Sequence, residues 1–142
     1  MRREPLTKNR NLCPRPLYMV ASGVPRARPD HAHVLVRMAL EMRDYVRDHA
    51  FRDGRRVDFR IGINSGPVVA GVIGRKKFIY DLWGDAVNTA SRMESHGAAG
   101  KIQITRATYD LIRDEFICEP RGTMVVKGKG EMEVWYVVER RT

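Results

Sequence analysis

Residues 80–95 read Tyr-Asp-Leu-Trp-Gly-Asp-Ala-Val-Asn-Thr-Ala-Ser-Arg-Met-Glu-Ser. Phe78 to Trp83 has the character of a strand, and Asp85 to Ser95 predicts a short helix that stops near Gly97. Asn88 and Arg92 are four apart on that helix, so both project from one face.

Upstream, Val57, Phe59, Ile61 and Ile63 alternate with Asp58, Arg60, Gly62 and Asn64, which predicts a strand. Ser65-Gly66-Pro67 interrupts it, and Val68 to Gly74 continues as a strand dotted with glycines, a mark of bends or close backbone approach. Arg75-Lys76-Lys77 is a turn. Further back, Leu17 to Ala21 reads as the end of a strand. Asp30 is placed to cap a helix to about His49, with Val34, Leu35, Met38, Met42, Tyr45 and Val46 as its inward face. Downstream, Lys101 to Thr105 predicts a strand. Thr105 is placed to cap a helix through Phe116, with Leu111, Ile112 and Phe116 inward. Met124 to Val126 and Glu133 to Val138 predict strands around Lys127-Gly-Lys-Gly130. Strands and helices alternate, so the expected class is α+β with helices on one side of a sheet.

The 142 residues, 43% apolar and 30% charged, fit one globular domain. Two cysteines, Cys13 and Cys118, make neither a disulfide framework nor a zinc motif. His31, His33, His49 and His96 match no metal-ligand spacing. No apolar run is long enough to span a bilayer, and Met-Arg-Arg-Glu-Pro is no signal peptide; a cytoplasmic location is the expectation. The net charge of +9 invites a polyanionic partner. Nearly half of it lies in residues 1–17, where Arg2, Arg3, Lys8, Arg10 and Arg15 face only Glu4. That segment, with Pro5, Pro14 and Pro16, reads as a disordered basic leader. The aromatic Lys/Arg-Gly-Phe-Gly-Phe signature of an RNA-binding sheet is missing, which disfavours nucleic acid.

Three segments, residues 60–74, 80–95 and 126–130, in this order and spacing resemble the catalytic domain of class III nucleotidyl cyclases, the adenylate and guanylate cyclase family. Tyr18 to Pro25 is similar to that family too. The resemblance covers roughly residues 18 to 138 and implies a ferredoxin-like fold acting as a dimer with ATP at its interface. The reaction implied is attack of the ribose 3′-oxygen on the α-phosphorus, giving 3′,5′-cyclic AMP and pyrophosphate. It calls for positioning and charge stabilisation. By resemblance, Asn88 matches the residue that orients the ribose, and Arg92 the one that stabilises charge on the α-phosphoryl group, a role suited to an always-charged planar donor. Asp81 matches the base-reading position, where a carboxylate accepts from the adenine amino group and disfavours guanine. Lys127 or Lys129 matches the lysine that places a point charge on the triphosphate.

The resemblance also implies Mg or Mn held by two aspartates, one in a Phe-x-Asp-Ile-x-Gly-Phe segment and one in a Gly-Asp turn before the Tyr-Met-Val-Ala strand. This sequence has neither motif, and it lacks the lysine that accompanies Asp81 in adenine recognition. The expected arrangement is therefore a basic leader over 1–17, a cyclase domain over 18–138 without its first strand and following helices, and a tail over 139–142. Such a sheet would leave an unpaired strand and an uncovered apolar face. No turnover is expected from a homodimer. The alternatives are a heterodimer in which this chain complements an intact cyclase protomer, a nucleotide-binding regulator, and a non-enzymatic interaction module.

Overall fold

The computed structural model describes residues 2–5, 16–24, 26–49, 54, 58–73, 79–126 and 128–141; for 2–5, 16–17, 69–73 and 79–83 it describes the backbone. The elements run β1 (Arg2–Pro5), β2 (Pro16–Met19), α1 (His31–Asp48), β3 (Ile61–Ile63), β4 (Val69–Ile73), β5 (Ile79–Trp83), α2 (Asp85–Ser95), β6 (Ile102–Thr105), α3 (Arg106–Ile112), β7 (Phe116–Val126) and β8 (Gly130–Arg140). The main sheet has the order β3-β6-β8-β7. β3 runs parallel to β6, and the other pairs are antiparallel. β4 and β5 form a separate antiparallel ribbon in which Asp81 faces Gly71 across the ladder. The protein is thus of the expected α+β class.

All four residues of β6 are buried. Since successive side chains of a strand point to opposite faces, both faces of the sheet must be covered. Ile102 and Ile104 join Ile63, Val137 and Phe116 in a core with Ala32, Val36, Ala39 and Leu40 of α1 and Ile112 of α3. Gln103 points the other way, to α2, and its Nε2 donates to the Met93 carbonyl at 3.3 Å. The helices therefore flank both faces rather than one. The alternation Ile-Gln-Ile-Thr resembles a half-exposed strand, and only the hydrogen bonds of Gln103 and Thr105 make their burial tolerable.

Other expectations shift in register. α1 buries Ala32, Val36, Ala39 and Leu40, not the predicted stripe; Met42 and Tyr45 are exposed. The helix carries apolar residues on two stripes, and the one holding two alanines packs on the sheet. Asp30 precedes α1 without a side-chain capping bond. Its carboxylate instead accepts from Arg28 at 2.6 and 2.9 Å, which holds it below the usual carboxylate range. α3 ends at Ile112, so Phe116 is buried as the first residue of β7 and Leu111 is exposed. Val57, in the predicted β3 strand, lies outside the described residues, as do Arg75-Lys76-Lys77. β1 lies within residues 1–17 and is paired antiparallel with β2 from Arg2↔Met19 to Pro5↔Pro16. The two prolines oppose each other at the end of that ladder, where a missing N–H costs least. No helix among the described residues is long and apolar enough to cross a membrane.

β3 meets α2 at Gly62. A Cβ there would lie 2.1 Å from the Glu94 nitrogen and 2.5 Å from the Met93 carbonyl carbon. Those are backbone atoms, which cannot swing aside. Gly62→Ala is expected to destabilise the protein by about 3 kcal/mol or more, the upper range for overpacking, read as a shift in the urea midpoint. Cys118 gives a second expectation. Burial pushes its thiol up to about 11, so at pH 8 its alkylation by iodoacetamide should be about a hundredfold slower than that of an unperturbed thiol. The rate should climb as pH approaches 11. Because the unfolded thiol ionises first, stability should fall, not rise, between about pH 9 and 11.

Candidate functional site

β5 passes into α2 through Gly84 alone, whose φ of 127° is open only to glycine at low cost. This tight junction fixes the distance along the chain between the strand that bears Asp81 and the helix that bears Asn88 and Arg92. Asp81 is placed on β5 by its backbone, and its side chain lies outside the described residues. Within α2 the buried residues are Thr89 and Met93. Asp85, Asn88 and Arg92 follow each other at spacings of three and four, so they form one stripe on the helix. Asn88 is exposed and Arg92 half-buried. Among the described residues neither side chain has a hydrogen-bond or ion-pair partner.

The inner face of α2 is held at several points. Met93 is fully buried against Val126 of β7 and Val134 of β8, with Met124 and Met132 beside them; burying such a side chain contributes about 1.5–3 kcal/mol. Arg60, just before β3, donates from Nε to Glu94 Oε1 at 2.9 Å, with both side chains mostly shielded. At the other end, Asn64 Nδ2 donates to the Ala86 carbonyl at 3.0 Å. Asn64 Oδ1 accepts in turn from Thr105 Oγ1 at 2.7 Å. Thr105 therefore spends its hydroxyl on Asn64 and makes no side-chain cap on α3. Arg121 bonds both Gln103 Oε1 and the His96 carbonyl, tying the end of α2 to β7.

Val126 and Val134 flank the β7–β8 turn, so their contact with Met93 brings that turn toward α2. The turn closes through Lys129 N–H to the Val126 carbonyl at 2.9 Å. Lys129 Nζ donates to Asp85 Oδ2 across 44 residues of sequence. Lys129 thus stands at the head of the stripe that carries Asn88 and Arg92. Lys127 lies outside the described residues. The structure brings Asn88, Arg92 and Lys129 to one region and places Asp81 on the strand feeding it.

The profile of the adenylate and guanylate cyclase catalytic domain matches residues 16–139. The chain belongs to this family. Among curated relatives, an adenylate cyclase of Mycobacterium tuberculosis is 48% identical over 124 residues, which cover 87% of this chain and 28% of the relative. The chain thus spans little more than a quarter of that protein. The guanylate cyclase domain of RhGC from Catenaria anguillulae, solved in complex with GTP, superposes with a TM-score of 0.80 at 43% identity, over 84% of this chain and 66% of that one. The catalytic core of a rhodopsin-guanylyl cyclase with converted specificity, in complex with ATPαS, gives 0.78 at 44% identity, over 84% and 65%. The neighbours thus include cyclases of both base specificities, and the fold is that of the class III cyclase domain.

Class III cyclase domains generally use divalent metal ions. Among the described residues of this cyclase domain no group of three or more His, Cys, Asp or Glu side chains converges on one point. Two open depressions among the described residues are lined by other side chains. An open depression of about 430 Å³ is lined by Glu41, Met42, Tyr45, Val46 and Phe59, and a neighbouring one of about 400 Å³ lies by Asp58, Gly100 and Lys101.

Arg60, Asn64, Glu94 and Gln103 were not singled out as supports of α2 by the sequence, although all but Gln103 stand inside the quoted motifs. Asp85 had a legible signal in its spacing to Asn88 and Arg92. Arg60→Met should remove the half-buried pair with Glu94 and cost about 2 kcal/mol in urea unfolding. It should also speed hydrogen exchange in the last turns of α2 more than in β6.

Proposed function

We propose that this chain is an adenylate-type cyclase domain that binds ATP and offers its base-reading and charge-stabilising residues to a site completed by a second cyclase protomer. In this reading the ribose 3′-hydroxyl oxygen attacks the α-phosphorus. The bond from the α-phosphorus to the oxygen bridging to the β-phosphorus breaks, pyrophosphate leaves, and the hydroxyl proton passes to solvent. Asp81 accepts from the adenine amino group, Asn88 orients the ribose, and Arg92 faces the charge that grows on the α-phosphoryl oxygens. A lysine of the 127–130 turn holds the triphosphate. An arginine fixed on a rigid helix suits this role because its charge needs no reorganisation as the reaction proceeds.

The observation that carries the reading is the single α2 stripe, unpartnered at Asn88 and Arg92 among the described residues, with Lys129 at its head. The adenylate choice rests on the carboxylate at Asp81, since guanine presents a carbonyl oxygen where adenine presents an amino group. A second protomer belongs to the reading because the α2 stripe and the β7–β8 turn supply only base-reading, ribose-orienting and phosphate-facing groups. With ATP as substrate, the domain works in the cytoplasm.

The test mixes the full chain with a cyclase protomer whose own matching asparagine and arginine are replaced by alanine. Cyclic AMP formation should return with ATP and Mg or Mn, with little cyclic GMP from GTP. Arg92→Ala in this chain should cut the restored rate about 100-fold or more, and Arg92→Lys should not rescue it. The chain assayed alone should show no turnover. Failure to restore cyclic AMP with a folded, nucleotide-binding chain would overturn the complementing role.

A further inference from the structure

We infer that Asp85 is a positioning residue for the triphosphate: it parks the Lys129 ammonium at the head of the Asn88–Arg92 stripe and yields it when a triphosphate arrives. The inference rests on the reading of Lys129, rather than Lys127, as the phosphate-contacting lysine.

Three observations carry it. The Lys129–Asp85 contact is long-range, joining the β7–β8 turn to the first residue of α2. The turn is also closed by its own backbone bond, Lys129 N–H to the Val126 carbonyl, and based on Val126 and Val134 packed against Met93. The Lys129 side chain can therefore change partner without the turn moving. Third, the pair is open to water, with the Lys129 side chain 37% and the Asp85 side chain 69% exposed. Such a pair is weak, so a triphosphate with several negative charges outcompetes one carboxylate. An anion that takes the lysine must leave Asp85 to solvent.

The sign of the effect follows. The geometry of the turn survives loss of Asp85, and the competing anion goes, so triphosphate should bind more tightly without it. The experiment titrates the full chain with inorganic triphosphate by calorimetry, which removes any contribution of the base. Asp85→Asn is expected to bind about 3- to 5-fold tighter, the range of an exposed ion pair, with the gain shrinking at high salt. Asp85→Glu should behave as wild type. In a Lys129→Met background the Asp85→Asn gain should vanish. A gain that persists there would mean general repulsion rather than positioning through Lys129, and would overturn the inference. Unchanged or weaker binding by Asp85→Asn would overturn it as well, including the case of a lower melting temperature alone, which marks Asp85 as a helix-terminus charge. If Asp85→Asn unfolds, Asp85→Ser supplies the same comparison. If Lys129→Met binds triphosphate like wild type, or wild type does not bind at all, the phosphate-lysine reading itself fails, a result distinct from failure of Asp85 alone.

Discussion

The close approach of α2 to β3 at Gly62 is the constraint on which the rest of the site depends. No side chain stands between the strand and the helix backbone at Met93 and Glu94. With the helix seated that low, Arg60 reaches Glu94 at one end and Asn64 reaches the Ala86 carbonyl at the other. Met93 fills the space over Val126 and Val134. These contacts leave α2 little freedom to rotate about its axis, so the stripe of Asp85, Asn88 and Arg92 has one orientation.

The same seating explains why polar residues are buried in the sheet. Gln103 and Thr105 face α2 from β6, and each is satisfied by a partner on another element. Ser65 and Thr108 pair at 2.9 Å alongside them. A buried hydroxyl or amide without such a partner would cost as much as it contributes. The network therefore fixes which strands and loops lie under α2 more sharply than an apolar layer would. On the opposite face the packing is apolar and less particular. There α1 could present either of two stripes, and the one with Ala32 and Ala39 won.

The charge of the chain proved a weaker guide than its arrangement. The net +9 says little about partners, because nearly half of it lies in residues 1–17, while several arginines elsewhere face carboxylates. Arg37 and Arg140 both meet Glu115, and Arg106 meets Glu133. What bears on an anionic ligand is the set of positive groups along one helix stripe. β3, for its part, pairs on one side only among the described residues. The solved cyclase domains are longer than this chain, which covers about two thirds of them.

The sequence by itself determined the elements that are set locally. Residues 80–95 announced a strand, a glycine break and a helix, and α2 runs from Asp85 to Ser95 as the pattern predicts. Its motifs named the family, and helical spacing put Asn88 and Arg92 on one face. Periodicity works there because it depends on neighbours within one or two turns. The tertiary structure alone decided what depends on distant partners: which stripe of α1 is buried, why β6 hides Gln103 and Thr105, where α3 stops, and that Lys129 finds Asp85. Each of those outcomes is set by a contact between residues far apart in the chain. No local pattern encodes such a contact, since its free energy exists only once the sheet has brought the two segments together.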